Sequence, residues 1–120
     1  PSETKTERKS RIFGSFVGSW IMSEKHEQIR DPNLFYCFVS IIGQLKQFRF
    51  FVVPSNLVAD YVTNEHALWR EVTGHKGGKI SMRQFRVGRK GEAYVIPTPI
   101  AENCENNWDF EPNPEYQIVG

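Results

Sequence analysis

The clearest pattern along the chain is the run Leu34-Phe-Tyr-Cys-Phe-Val-Ser-Ile-Ile42, almost all apolar, aromatic or β-branched and bounded by turn residues. A run of this kind predicts a strand buried on both faces. Gly43-Gln-Leu-Lys46 follows, and then Gln47-Phe-Arg-Phe-Phe-Val-Val53 reads as a second apolar strand. A connection so short joins only antiparallel neighbours, because a parallel crossover takes about a dozen residues or more. Pro54-Ser55 stops that strand and starts a helix, with Ser55 as the expected N-cap. Val58, Tyr61, Val62, Leu68 and Trp69 recur at near-helical spacing and give one apolar face over residues 56–72, closed by Gly74. The fold class is therefore α+β: a small mixed or antiparallel sheet built on a hairpin, 34–42 with 47–53, packed by a helix at about 55–72.

The flanking segments give weaker patterns. Arg11-Ile-Phe-Gly-Ser-Phe-Val-Gly-Ser-Trp20 alternates aromatics with small residues, which fits a short or bulged strand, since two glycines so close are costly in a helix. Ser23 before Glu24, Lys25, His26 and Glu27 predicts a capped helix of about two turns, and Asp31-Pro32-Asn33 predicts a turn. Ile80–Val87 and Ala93–Ile96 are further extended candidates. The chain divides into a polar arm (1–10), an α+β domain (11–96) and an acidic, Pro- and Asn-rich tail (97–120), in which Trp108 and Phe110 are the expected anchors.

Composition adds little to this picture: 120 residues, 39% hydrophobic and 24% charged, suit one globular domain. No apolar run approaches the roughly 20 residues of a membrane span, and no apolar signal segment follows the polar start, so a cytoplasmic protein is expected. Cys37, inside the apolar run, reads as a small buried hydrophobe; it and Cys104 lack metal or redox spacing and are expected to be reduced. Charge changes the picture more. The net charge is only +1, yet residues 70–90 carry Arg70, Lys76, Lys79, Arg83, Arg86, Arg89 and Lys90 against Glu71 alone. Residues 91–120 carry Glu92, Glu102, Glu105, Asp109, Glu111 and Glu115 with no Lys or Arg. Two readings stay open: a field that steers a charged partner, or an acidic tail folded back onto the basic segment.

Three stretches carry a resemblance: Trp20-Ile-Met-Ser-Glu-Lys-His-Glu27, Asn33-Leu-Phe-Tyr-Cys-Phe-Val39, and Phe51-Val-Val-Pro-Ser55 with Val58-Ala59. With Trp69, His75 and Ser81-Met-Arg-Gln-Phe85, they resemble uncharacterised bacterial proteins related to the PD-(D/E)XK nuclease superfamily, over roughly residues 3–88. The resemblance implies a restriction-endonuclease-like half-fold and a metal-dependent DNA endonuclease chemistry. In it, Mg²⁺ held by carboxylates polarises the scissile phosphate and activates a water, while a lysine stabilises the developing charge. Glu3-Thr4-Lys5-Thr6 matches the Glu-x-Lys element, which makes Glu3 and Lys5 the catalytic candidates and Glu3 the metal ligand. The family's Asp-bearing strand would lie upstream of Glu3. The chain is then a fragment, a relative keeping the scaffold without the catalytic centre, or an accidental match at Glu3.

Other readings come from the residues themselves. Lys76, Lys79, Arg83 and Arg86, beside the flexible Gly77-Gly78, are the candidate nucleic-acid contacts, with DNA as the partner. Strand alternation puts Arg83 on the face of Phe85 and Arg86 on the opposite one. His26 and His66 read as surface or half-buried helix residues, and His75 as part of the basic loop. A third function class is a homo-oligomeric interaction domain, pairing through an open edge of the apolar strands.

Overall fold

The computed structural model describes residues 8–10, 14–44, 47–74, 82–110 and 116–117. The expected hairpin and helix are present. β1 (Arg8–Ser10), β2 (Gly14–Ser23) and a 3₁₀ turn at Glu24–Glu27 lead into β3 (Phe35–Ile42), β4 (Gln47–Pro54) and α1 (Ser55–Thr73). β5 (Met82–Gly88), β6 (Thr98–Pro99), α2 (Ala101–Cys104) and β7 (Tyr116–Gln117) follow. β3 and β4 form one antiparallel pair, with Phe38 opposite Phe51 and Val39 opposite Phe50. β1, β2 and β5 form a second antiparallel sheet in that order, and β6 pairs with β7. Among the described residues no helix is long and apolar enough to cross a membrane.

The core lies where the hairpin, the three-stranded sheet and α1 meet. Phe38, Phe51 and Val53 face Phe85 and Val87, and α1 lays Val58, Tyr61 and Val62 over them. The Phe38 and Phe85 rings stack with centroids 4.5 Å apart, which ties the two sheets together. Trp20 sits at this junction, 5.1 Å from the Phe38 ring and 5.7 Å from that of Phe51. β2 is bulged between Phe16 and Gly18, as its glycines suggest. A smaller cluster joins Phe16, Tyr94 and Ile100. The Tyr94 hydroxyl donates to the Ser15 carbonyl at 2.7 Å and accepts the Arg89 N–H at 2.6 Å. Gly88 makes that seat possible, because a Cβ there would stand 2.6 Å from the Tyr94 ring.

Several expectations change in detail, each for a physical reason. Ser55 is not the N-cap: Pro54 holds that position, and the Ser55 hydroxyl turns back to donate to the Asp31 carbonyl at 2.7 Å. The same hydroxyl accepts the Asp31 N–H at 3.0 Å, so it fastens the helix start to the 31–33 turn. After Ser23 there is a single 3₁₀ turn rather than two helical turns, and the Ser23 N–H donates to Nδ1 of His26 at 3.1 Å. Ala93–Ile96 is not a strand; its one buried side chain is Tyr94. Residues 98–104, expected in the tail, bury Thr98, Ile100, Ala101 and Cys104. Arg8–Ser10, expected in the arm, pair with β2. Cys37 is exposed and Cys104 is the buried thiol, because alternation places Cys37 on the face of β3 opposite Phe38.

Candidate functional site

The largest departure from the sequence pattern is on the hairpin itself. Alternation turns Phe35, Cys37, Val39 and Ile41 away from the core, beside their cross-strand partners Pro54, Val52, Phe50 and Phe48. The outward face is thus as apolar as the inward one, and nothing charged stands on it. The chain covers it in part. Residues 105–107 run along the free edge of β4, where the Asn106 N–H donates to the Phe50 carbonyl at 2.8 Å and the Asn107 side-chain amide donates to the Val52 carbonyl at 3.3 Å. Arg49 clamps Glu105 through two hydrogen bonds, 2.8 and 2.7 Å, and fixes this segment. A turn with Asn106 at φ 57° then brings Trp108 against Phe50 (6.0 Å) and Phe110 against Phe35 (5.2 Å). These are the tail anchors the sequence suggests. They do not complete the cover: Val39 remains 39% exposed, Phe48 54%, Trp108 51% and Phe110 49%.

The edges of the hairpin are better protected than its face. The 105–107 segment lies along β4, with an antiparallel bridge between Phe51 and Glu105. Beside β3, the Trp20 indole N–H donates to the Val39 carbonyl at 2.9 Å and occupies the middle of that edge.

A second feature lies between α1 and β5, a cleft of about 160 Å³ lined by Glu65, His66, Trp69, Met82, Arg83, Gln84 and Arg86. Glu65 is buried at its floor, 3.2 Å from Nε of Arg86, and its carboxylate accepts the Tyr61 hydroxyl hydrogen bond at 2.9 Å. Burial outweighs both partners and pushes the Glu65 carboxyl up to about 7. Arg86 also donates to Oε1 of Gln84 at 2.7 Å, an oxygen that accepts the Ser19 hydroxyl at 3.0 Å, and its guanidinium lies over the Phe16 ring. Arg83 donates to Glu27 at 2.6 Å. His66 stacks on Trp69, and burial followed by the charge of Arg83 holds its imidazole below the ordinary histidine value.

The structure brings Arg83 and Arg86 to one cleft, although strand alternation separates them. Both are held by acids outside the tail, Glu27 and Glu65, while the tail's Glu105 pairs with Arg49. Glu3, Lys5, His75, Lys76 and Lys79 lie outside the described residues. Among the described residues no three His, Cys, Asp or Glu side chains gather as a metal site would require. His26 lies edge-on to Tyr36. Glu65 escaped the sequence reading, yet a signal existed: it continues the stripe 58, 61–62, 65, 68–69, so an acid falls on the buried face of α1. In comparisons with protein families, curated proteins and solved structures, nothing matches the chain.

Proposed function

We propose that the protein is a homotypic association domain, in which the outward face of the β3–β4 hairpin packs against the same face of a second copy. The observation that supports this is the exposure of Val39, Phe48, Trp108 and Phe110 around a strand pair whose outward side chains are all apolar. Exposed apolar surface that is contiguous marks an interaction site more often than isolated apolar residues do. A second copy is the occupant favoured by charge. A two-fold interface sets each patch against itself, so any charge on it would meet a like charge. The strand face itself carries none, Arg49 and Glu105 beside it neutralise one another, and the exposed Asp109 between Trp108 and Phe110 is the acid a two-fold contact must keep at its rim. The face takes this role rather than the strand edges, which Trp20 and residues 105–107 occupy.

Cys37 reports on the contact directly, being exposed on this face while Cys104 is buried. Its reaction with a bulky maleimide is expected to slow as protein concentration rises. A rate independent of concentration, in a chain that stays monomeric, contradicts the proposal.

The nuclease reading is a second proposal, favoured by one observation: the antiparallel hairpin passes directly into a packed helix, the order the resemblance implies. Its test is Mg²⁺-dependent cleavage of DNA that is lost in Lys5→Ala. Cleavage unaffected by that substitution, or no cleavage at all, would remove it.

A further inference from the structure

We propose that the cleft between α1 and β5 binds a single tetrahedral oxyanion, of the size of one phosphoryl group, and takes up one proton as it does so. This reading is independent of the association face.

Size sets the first condition. The cleft, about 160 Å³ and open to solvent on one side, has room for a phosphoryl group against its lining. Composition sets the second. Two guanidinium groups, Arg83 and Arg86, line the same small space, and guanidinium geometry matches phosphoryl oxygens. Trp69 and Met82 line it too and offer an apolar flank for the remainder of a monoester.

The proton follows from charge balance. Arg86 stands against the buried carboxylate of Glu65, with side-chain exposures of 13% and 8%. An anion that approached Arg86 while Glu65 kept its charge would put two negative groups in one poorly solvated corner. Protonation of Glu65 from solvent removes that repulsion, and the anion replaces the carboxylate as partner of Arg86. The neutral carboxyl keeps its place beside the Tyr61 hydroxyl. The raised Glu65 carboxyl, at about 7, makes this exchange accessible near neutral pH. The other charged and titratable groups around this corner are Tyr61, His66 and Arg70 of α1, Arg83 of β5, Glu24 and Glu27 of the 3₁₀ turn, and Tyr94. Glu27 is engaged by Arg83 at 2.6 Å. Burial, followed by the charge of Arg83, holds the His66 imidazole below its ordinary value, the opposite direction from Glu65.

Sulfate is the probe, because it is tetrahedral and does not itself titrate between pH 5 and pH 9. Calorimetric titration of the full chain is expected to show sulfate binding at pH 6 that weakens by about tenfold per pH unit above 7, the slope of one linked proton. Repeating it in buffers of different ionisation heat is expected to show uptake of about one proton per sulfate at pH 7.5 to 8. Glu65→Gln retains a neutral polar group at the same place, and is expected to bind sulfate with similar affinity at pH 6 and pH 8 without proton uptake. Arg83→Gln is expected to weaken binding at both pH values. Absence of sulfate binding at pH 6 in the unsubstituted chain would overturn the site. Binding without proton uptake, or a pH slope retained in a folded Glu65→Gln protein, would overturn the exchange. Acetate binding more tightly than sulfate would overturn the tetrahedral assignment in favour of a carboxylate. The proton-uptake measurement needs no substitution and stands even where a variant fails to fold.

Discussion

The two faces of the β3–β4 hairpin are made of nearly the same residue types and meet different fates. Inward, Phe38, Phe51 and Val53 are sealed by α1 and the β2–β5 sheet. Outward, Phe35, Val39, Phe48 and Phe50 receive a partial cover from Trp108 and Phe110 and remain open between them. Hydrophobicity alone therefore does not decide burial. The inner face is closed because three elements converge on it, and the outer face is short of an element. A strand pair whose composition demands burial on both sides, but whose outer face seals Val52 and Pro54 and leaves Val39 and Phe48 open, is consistent with a further layer over that open end.

The contrast breaks most sharply under truncation. Phe51→Ala removes a fully buried ring from the inner face and is expected to cost about 3–5 kcal/mol in denaturant unfolding. The same measurement on Phe48→Ala, made where the chain is dilute, should show about 0.5 kcal/mol or less, as for ordinary surface positions. Equal losses at the two positions would mean that the outer face is sealed within one chain after all.

Charge sharpens the same comparison between interior and rim. Glu65, in the interior, has its carboxyl raised from 4.5 to about 7, so the folded chain binds more protons than the unfolded chain between those values. Stability is then greatest below about 4.5 and falls as pH rises toward 7, by on the order of 3 kcal/mol. Glu105, at the rim, has the opposite sign. Its hydrogen bonds to Arg49 hold its carboxyl below the ordinary value, so its contribution is present above that value and is lost as pH falls through the lowered one. Unfolding curves of Glu65→Gln against pH should lack the decline toward neutrality, whereas Arg49→Met should lose only the acid-side dependence. A smaller effect concerns the cover itself: Trp108→Ala is expected to cost about 1 kcal/mol, since it removes one half-exposed ring contact with Phe50.

How much of this was legible from sequence follows from what each signal encodes. The hairpin and α1 were readable because their local patterns agree with their packing: an unbroken apolar run, a short turn and a helical stripe ending at Gly74, which adopts φ 70°. The role of Ser55 is not legible in the sequence, because a hydroxyl at a helix start can serve the helix or an adjacent turn, and only tertiary placement decides. The burial of Cys104 and exposure of Cys37 depend on which face meets α1, and periodicity does not name the face. The convergence of Arg83 and Arg86 on one cleft was hidden for a related reason. Strand alternation describes where a side chain leaves the backbone, while long arginines reach the acids that hold them, Glu27 and Glu65. Glu65 itself was visible as an acid on an apolar stripe, a pattern that signals a buried ionisable group when its partner lies on another element.

Sedimentation equilibrium across a range of concentrations tests the central claim most directly, comparing the unsubstituted chain with Val39→Lys. Lysine at a half-exposed position leaves the fold intact but sets like charges against each other across a two-fold contact. The account predicts a reversible monomer–dimer equilibrium that the substitution shifts fully to monomer, with unchanged far-ultraviolet circular dichroism. A chain that remains monomeric at every concentration, or a dimer indifferent to Val39→Lys, would contradict it.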